Sequence, residues 1–589
     1  MSKPLKLIYM KGKFFSIFLL AIALIFTSCD IQKMAKKYDT VKYETTPQVL
    51  ETHGDKINVS VKGNIPPKYF GKKVVVDFTP VLKWDGGSYT CKSIKIGGEK
   101  AESGDSKITK KTGGSFTWSD VIPYQPEMNV SELVVNAKAT KGKKTVDLGE
   151  VKLADGVIYT SIRIGRDQDL SLAEHGYKKE VIVSKNANLY FDYNSSKLSE
   201  NQKLNKLDEN KKAIQDLKDF INLNWKIKSI DINAWASPEG EEQYNANLSN
   251  DRAVAAKKYI ESYIEKLDRD IAKSQKKKYA EVKREAPLTI NGKGEDFDGF
   301  MQAIEKSNLP EKQAIINVIK SQTDKAKRER EIKNMSVVYA EVEAILEPLR
   351  RAEIVVSCFE PKRTDDDIAR LSLTAPDSLK AEELLYAATL TENIDNKLKI
   401  YKSGTQIYPS DWKFWNNAGY ILLSQNKLAE ATPFIEKANT LSPNNPVVLN
   451  NLGVIATWNK QYDKAKEYFD QAKAGVDVNY NLGILKIVEG DYAGALKLFA
   501  GKSCRYNIAL AQLLSTDYTS AARTLECIPN KTPEVYYLMA IVGARTGNNS
   551  MMIDNLKLAV QDPNLKAQAK TDREFLKYAN NSDFQAVIK

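Results

Sequence analysis

The chain has 589 residues, with 87 Lys and Arg against 75 Asp and Glu, which gives a formal charge of +12. An apolar fraction of 42% and a charged fraction of 28% are ordinary for folded water-soluble domains and exclude a wholly disordered chain. The chain has two histidines, His53 and His175, and its five cysteines are scattered singly. Because zinc sites and most acid–base catalysis draw on these side chains, we expect neither an enzyme nor a metal or cofactor site.

The first 28 residues have the pattern of an export signal. Four lysines precede an apolar run at residues 14–26, which is shorter than the roughly 20 residues that a membrane-spanning helix needs. Thr27 and Ser28 then lead into Cys29, an order that resembles the lipobox of bacterial lipoproteins, although Phe26 stands where Leu is usual. The resemblance implies that Cys29 is lipidated and begins the mature chain. An ordinary signal peptide with a chance cysteine is the alternative.

Removal of this signal lowers the charge to +8, because it contains four lysines and no acidic residue. An exported protein does not meet cellular nucleic acid, so we expect no nucleic-acid partner. Anionic envelope surfaces are the remaining electrostatic partners, and many lysines simply solvate helix faces.

The other four cysteines are Cys91, Cys358, Cys504 and Cys527. An oxidising envelope compartment allows disulfides, and Cys504 with Cys527 is the pair that the architecture brings close. Buried free thiols are the favoured state, with this disulfide as the alternative.

Residues 29–54 are polar, without a clear period, and are interpreted as a tether between the lipid and the first domain. From 55 to 180 the pattern changes to short alternating apolar runs separated by Gly, Pro and Asn, such as residues 57–61 and 81–84. This spacing predicts an all-β sandwich, a structural or adhesive module without clustered catalytic side chains.

Strand and helix patterns alternate between residues 186 and 358, which predicts an α/β domain. Residues 188–193 and 227–235 are strand-like, and apolar residues between 204 and 221 keep to one helical face. A helical insert occupies about residues 297–345. Four motifs follow in order: YFDYNSSKL at 190–198, NANLSNDRA at 245–253, GKGE at 292–295 and RRAEI at 350–354.

These motifs resemble those of OmpA/Pal-like domains. The resemblance implies peptidoglycan binding, in which an aspartate and an arginine hold the diaminopimelate of the stem peptide. Arg252 matches the arginine and Asn245 the family's asparagine, but Ser237 stands where the aspartate is expected. The absent carboxylate would pair with the ligand's ammonium group, and a charge-assisted bond is about twice as strong as a neutral one.

Glu239, two residues beyond Ser237, is a candidate to supply the charge from a displaced position. Residues 237–240 are equally a turn pattern, with Pro238 at its second position. Arg252 also has a simpler interpretation, as a helix-surface arginine that bonds a neighbouring loop.

Residues 378–589 are helical and repeat with a 34-residue period. Small residues recur at positions 8 and 20, where two helices approach closely, and large ones at positions 4, 7, 11 and 24. The pattern resembles the tetratricopeptide repeat and predicts an all-α array of about five hairpins. The predicted core residues are Trp415, Gly419, Ala431, Leu452, Gly453, Ala465, Phe469, Gly483 and Ala495.

Tetratricopeptide arrays bind proteins along a concave face. Positions 2, 5, 9 and 12 of each first helix are expected to point there. In two units these are Lys413, Asn416, Tyr420 and Leu423, then Val447, Asn450, Val454 and Thr457.

The domain set resembles that of OmpA-like lipoproteins of Bacteroidetes-type envelopes, and the resemblance implies a periplasm-facing lipoprotein scaffold in the outer membrane. It would associate with peptidoglycan and recruit an envelope protein through its repeats. The alternative is a surface or fimbria-associated structural protein whose OmpA-like domain no longer binds peptidoglycan, which Ser237 favours. An envelope hydrolase fails for lack of a nucleophile–base pair.

Overall fold

The structure is a computed structural model that describes residues 30–238, 241–310, 312–324, 327, 330–331 and 339–589. The predicted export signal, Cys29 and Glu239 lie outside the described residues. The chain divides into two compact units, of which the first combines Met1–Glu174 with Glu392–Lys589 and the second is His175–Thr391. The β-rich region and the repeats, expected as separate domains, thus belong to one unit that the second unit interrupts in the chain.

The N-terminal part of the first unit is β-rich. Its strands pair antiparallel except for β2 with β11 and β7 with β8, which are parallel. Alternate residues of β3, such as Ile57, Val59 and Val61, are buried in one core with Trp118. The strands are β1 (Lys42–Thr46), β2 (Val49–His53), β3 (Lys56–Ile65), β4 (Val75–Phe78), β5 (Pro80–Trp84), β6 (Gly87–Thr90), β7 (Ile94–Gly98), β8 (Ser106–Ile108), β9 (Gly114–Pro123), β10 (Ser131–Lys141) and β11 (Lys144–Ile158).

The predicted tether is wrong from residue 30 onward. Residues 30–36 are helical, and residues 42–53 contribute β1 and β2. Ile31, Met34 and Leu50 are fully buried in the β-rich core. The apolar residues among the polar ones therefore pack against the sheet, and burial of each large apolar side chain contributes about 1.5–3 kcal/mol.

The second unit contains a four-stranded sheet in the order β12–β15–β13–β14. Its strands are β12 (Ile182–Tyr190), β13 (Ile227–Ala236), β14 (Leu288–Glu295) and β15 (Arg351–Phe359), and its first helices are α1 (Asp208–Asn222), α2 (Glu242–Gln275) and α3 (Tyr279–Val282). Phe191, Ile232, Ile260 and Ile354 belong to the core that the sheet shares with α1 and α2. This arrangement is an α/β fold.

The predicted helical insert contains α4 (Phe297–Lys306), α5 (Lys312–Ser321) and α6 (Tyr339–Leu346). They share a small core of their own, which includes Phe300, Ile304, Ile315 and Leu346. Two further helices, α7 (Asp365–Thr374) and α8 (Ala381–Ala387), belong to this unit. Residues 378–391, expected at the start of the repeats, therefore lie in the second unit.

The C-terminal part of the first unit is helical, and residues 412–559 form five consecutive helix pairs. A preceding helix, α9 (Ile394–Ile407), and two closing helices, α20 (Pro563–Ala569) and α21 (Ser582–Ile588), flank them. Within the part of the chain that the structure describes, no helix is both long and apolar enough to cross a membrane. The pairs are α10 (Trp412–Ser424) with α11 (Leu428–Leu441), α12 (Pro446–Trp458) with α13 (Tyr462–Ala472), α14 (Asn479–Val488) with α15 (Tyr492–Leu498), α16 (Tyr506–Leu514) with α17 (Tyr518–Glu526) and α18 (Pro533–Thr546) with α19 (Asn549–Ala559).

The predicted core residues of the repeats lie between the helices. Five are buried, namely Ala431, Leu452, Ala465, Phe469 and Ala495. The three glycines stand where a side chain would collide with a neighbour: Gly419 meets Ile435, Gly453 meets Phe469 and Gly483 meets Phe499. Trp415 is partly buried, and its Nε1 donates to the carbonyl of Pro409 at 3.0 Å.

Candidate functional site

One side of the repeat region carries a row of asparagines. Position 6 in four consecutive units is asparagine, two residues before the small residue at position 8. All four are at most 1% exposed, which for an uncharged amide requires hydrogen-bond partners. We call this row the asparagine face; its members are Asn417, Asn451, Asn481 and Asn507.

The partners are supplied by the chain itself, from residues 163–173, which we call the strap. The strap has neither helix nor strand structure. Asn417 accepts from the backbone N–H of Ala173 at 2.8 Å and donates to its carbonyl at 3.0 Å. Asn451 binds Ser171 in the same way, at 2.9 Å and 2.7 Å. Each amide thus satisfies both backbone groups of one strap residue.

The next two asparagines repeat this pattern toward the start of the strap. Asn481 binds the N–H and carbonyl of Asp169 at 2.8 Å and 2.9 Å. Asn507 binds those of Gly165 at 2.9 Å and 3.0 Å. The strap therefore runs from the later repeats toward the earlier ones.

Two asparagines at position 5 reinforce the row. Asn450 donates to the carbonyl of Asp169 at 2.8 Å and to Ser171 Oγ at 2.9 Å. Asn416 donates to the carbonyl of Ser171 at 3.2 Å and accepts from Asn451 at 2.9 Å. The side chains form one hydrogen-bonded network, in which partly satisfied groups would be costly.

The other residues expected on the concave face have different environments. Leu423, Val454 and Thr457 are buried. Thr457 Oγ1 donates to the carbonyl of Gly453 within its own helix. Lys413, Tyr420 and Val447 are partly exposed. Asn416 and Asn450 therefore contact the strap, whereas Leu423, Val454 and Thr457 are buried.

Two acidic side chains of the strap are bound by the fourth repeat and its neighbour. Asp167 accepts from the hydroxyl of Tyr480 at 2.7 Å and the backbone N–H of Tyr506 at 3.1 Å, as well as from Asn507. Arg505 approaches both carboxylates, at 3.5 Å from Asp167 and 2.9 Å from Asp169.

The two carboxylates have opposite pKa shifts. Burial raises the pKa of Asp167, although Arg505, Tyr480 and Asn507 oppose that effect. Burial also opposes ionisation of Asp169, but hydrogen bonds from Arg505 and Lys502 outweigh it and hold its pKa below the usual value. Arg505 itself lies over the Tyr480 ring, 3.8 Å from the centroid.

The beginning of the strap is held by a largely buried arginine. Arg163 forms an ion pair with Asp572 and lies over the rings of Tyr159 and Tyr537, at 4.9 Å and 4.5 Å. Gly165 follows, where a side chain would collide with the ring of Tyr506. The predicted β module extends to residue 180, but residues 163–173 have neither helix nor strand structure. The prediction is therefore wrong for this segment.

Buried ion pairs also join the β-rich region to the last repeats. Arg545 binds Glu574 at 2.6 Å and Glu51 at 2.5 Å. Thr160 Oγ1 donates to Glu574 at 2.5 Å. Since these groups are largely removed from water, loss of one partner would leave a costly buried charge.

Cys504 and Cys527 form a disulfide, with their Cα atoms 5.2 Å apart. The favoured expectation of free thiols is wrong for this pair, because the turn before α16 and the end of α17 meet there. Cys91 and Cys358 are free and buried. The disulfide fixes the residue next to Arg505, which binds the strap.

In the second unit, Arg252 lies beside β12 and β13. It is 1% exposed. Its guanidinium donates to the carbonyls of Ser195 at 2.9 Å, Trp235 at 2.9 Å and Asp192 at 3.3 Å. Arg252 therefore bonds the backbone of the loop after β12 and of β13, and it is buried rather than at the helix surface.

The other predicted residues of this site lie nearby. Asn245 donates to Glu295 at 2.9 Å and to the carbonyl of Ser237 at 3.4 Å. Ser237 Oγ accepts from Arg350 at 3.3 Å. Three of the four predicted residues thus gather beyond the end of β13, while Glu239 lies outside the described residues. Among the described residues, no group of three His, Cys, Asp or Glu side chains is placed to hold a metal ion.

Residues 413–445 match the family model of the tetratricopeptide repeat. No curated protein matches the chain. Among solved structures, the chain is similar to one described as pilF of Pseudomonas aeruginosa, with 15% identity over 36% of this chain and 96% of that chain and a TM-score of 0.26. It is also similar to PilW, a "widely conserved type IV pilus biogenesis factor", with 13% identity over 39% of this chain and 100% of that chain and a TM-score of 0.24.

A third similar structure is YrrB, "a TPR protein with an unusual peptide-binding site". The identity is 18% over 32% of this chain and 88% of that chain, with a TM-score of 0.19. The chain therefore carries tetratricopeptide repeats in a helical C-terminal region, behind a β-rich N-terminal region.

Proposed function

We propose that the protein is a lipoprotein scaffold of the bacterial envelope. Cys29 anchors it in the outer membrane, facing the periplasm, and the repeats recruit envelope proteins. The second unit associates with peptidoglycan as an OmpA-like domain, and the protein is not an enzyme. The observation that carries the scaffold role is the array of five helix pairs at residues 412–559, of which residues 413–445 match the tetratricopeptide repeat.

The peptidoglycan role is supported by the order of the four motifs and by the polar cluster beyond β13. Arg350, from the last motif, and Asn245, from the second, both contact Ser237. Residues distant in the chain are thereby gathered at the position where the resemblance puts the ligand. Arg351 and Asp296 add an ion pair at 2.6 Å nearby.

One observation favours a second candidate, a surface or fimbria-associated structural protein that does not bind the cell wall. Arg252 directs three donors at backbone carbonyls, and Ser237 accepts from Arg350 instead of offering a carboxylate. These contacts suit a structural role for the cluster.

Sedimentation of the mature full-length chain with purified peptidoglycan distinguishes the two. We expect the parent to pellet with the wall and Asn245→Ala to reduce the pelleted fraction several-fold. The exposed substitution Lys266→Ala is the matched control and should leave it unchanged. A parent that stays in the supernatant contradicts wall binding, and rescue by Ser237→Asp would trace the loss to the missing carboxylate.

The anchor is tested separately by fractionation of cells that express the parent or Cys29→Ser. We expect the parent in the outer-membrane fraction, with acyl chains on Cys29 detected by mass spectrometry, and the variant in the soluble fraction. External protease that digests the parent on intact cells would contradict the periplasm-facing orientation and favour the surface protein.

A further inference from the structure

The strap forms hydrogen bonds with every asparagine of the asparagine face. In Asn417, Asn451, Asn481 and Asn507, both the oxygen and the nitrogen of the amide bond the strap backbone. A peptide from another protein could use these groups only after the strap had left.

Several contacts along the strap oppose its displacement from the asparagine face. Asp167 is partly buried and lies among Arg505, Tyr480 and Asn507, and Arg163 is paired with buried Asp572. Displacement would leave Asp572 and the row of amides without these partners, and unsatisfied buried polar groups are costly.

The strap also has the advantage of being part of the same chain. It continues directly from the β-rich region, which is itself docked on the repeats through Arg545 and Glu51. A short intramolecular connection gives an effective concentration in the millimolar range or above, which a free peptide must exceed.

Recognition through the main chain is consistent with a bound segment that belongs to the same chain. The asparagines read backbone groups and therefore select an extended conformation rather than a sequence, as strand addition does. Side chains add selection at Gly165, which has no room for a side chain beside Tyr506, and at the two aspartates beside Arg505. Gln168 adds a further contact, since its Oε1 accepts from Trp458 Nε1 at 2.6 Å.

We infer that residues 163–173 are the resident ligand of the asparagine face, which is closed to peptides from other proteins. The array thus uses its peptide-binding face to hold its own β-rich region. The partners that the proposed function assigns to the repeats then bind outside this face, and to that extent the inference rests on the proposed function.

Hydrogen exchange of the mature full-length chain, followed by mass spectrometry, tests the inference. We expect the amides of Gly165, Asp169, Ser171 and Ala173 to exchange at least about 1,000-fold more slowly than in a synthetic peptide of residues 161–175, because they open only with the surrounding structure. Exchange within tenfold of the free peptide would overturn the inference.

A second arm uses the same peptide with a fluorophore, titrated to about 100 μM against the parent. We expect no binding; saturable binding to the parent would show an open face and overturn the inference. Gly165→Val, which collides with Tyr506, should raise exchange in the strap at least tenfold, whereas exposed Asn479→Ala should not. Unchanged exchange in Gly165→Val would likewise count against it.

Exchange in β15 of the same samples shows whether the second unit stays folded. Wall sedimentation and membrane fractionation do not involve the strap, so failure of this inference leaves their results unaffected. Conversely, a chain that neither sediments with the wall nor recruits a partner would still show a protected strap.

Discussion

Asn451 binds Ser171 with both ends of its side-chain amide, accepting from the backbone N–H at 2.9 Å and donating to the carbonyl at 2.7 Å. This is the hydrogen-bonding pattern that a neighbouring β-strand would offer, supplied by a helix side chain. Because no side-chain atom of Ser171 takes part in these two bonds, the contact is independent of residue type.

Replacement of Asn451 by Ala should destabilise the first unit by about 2–4 kcal/mol, since two backbone groups of Ser171 lose a buried partner. Urea denaturation of the full chain measures the change. Asn479→Ala, an exposed asparagine on the next first helix, is the control and should change stability by less than about 0.5 kcal/mol. Equal effects of the two substitutions would contradict the contact.

Low pH should weaken the contacts of Asp169 with Arg505 and Lys502. Its pKa is lowered in the folded chain, so its contribution is present above the unfolded pKa and is lost as the pH falls through the folded value, below about pH 4. The pKa of Asp167 is raised in the folded chain, so its protonated form stabilises the fold and that contribution is lost as the pH rises. We expect Asp169→Asn to cost about 1–2 kcal/mol at pH 7 and close to nothing at the lowest pH where the chain folds. A cost independent of pH would contradict this assignment.

Reduction of the Cys504–Cys527 disulfide should destabilise the repeats. The cross-link closes a loop with a sequence separation of 23, for which chain entropy gives about 3 kcal/mol. We expect the unfolding midpoint of the first unit to fall with dithiothreitol, and the Cys504→Ser/Cys527→Ser variant to match the reduced parent. A variant as stable as the oxidised parent would show that the disulfide does not stabilise the first unit.

The two free thiols should resist alkylation in the folded chain. Burial raises the pKa of Cys91 to about 12 and also raises that of Cys358, and the thiolate is the reactive form. Iodoacetamide at pH 8 should leave both unmodified until denaturant is added, as mass spectrometry of tryptic peptides will show. Rapid labelling of Cys358 without denaturant would mean that β15 opens readily.

Close helix approach should make Gly453→Ala destabilising by about 1–3 kcal/mol, because the new methyl group meets the Phe469 ring. Phe469→Leu in the same chain should recover part of the loss, by making room. Thermal unfolding of the two single variants and the double variant gives the coupling. Additive effects would contradict direct contact.

The repeats could be predicted because their spacing is local. Small residues such as Gly453 recur opposite large ones such as Phe469, and both lie within one helix pair. The asparagine at position 6 was also visible, since it recurs in four units, but its meaning depends on a segment that joins it only in the folded chain. Nothing in the composition of residues 163–173 marks them as a ligand.

The tether and the disulfide were mispredicted for similar reasons. Ile31 and Met34 stand among polar residues, so their burial depends on a sheet formed later in the chain. Cys504 and Cys527 meet because the turns of neighbouring helices coincide, which requires the helix packing itself. Arg252 was identified by its motif, whereas its backbone partners come from loops that no spacing rule places.

The position of the strap in the chain dictates an order of folding. Its partners lie far ahead, from 244 residues for Asn417 to 342 residues for Asn507. The β-rich region emerges first during synthesis, yet the strap that follows it lacks its full set of partners until Asn507 has emerged. Completion of the first unit is therefore a late and slow step, because it closes very long loops. Chains cut short before Asn507 would leave Gly165 without its partner and the start of the strap open to proteolysis.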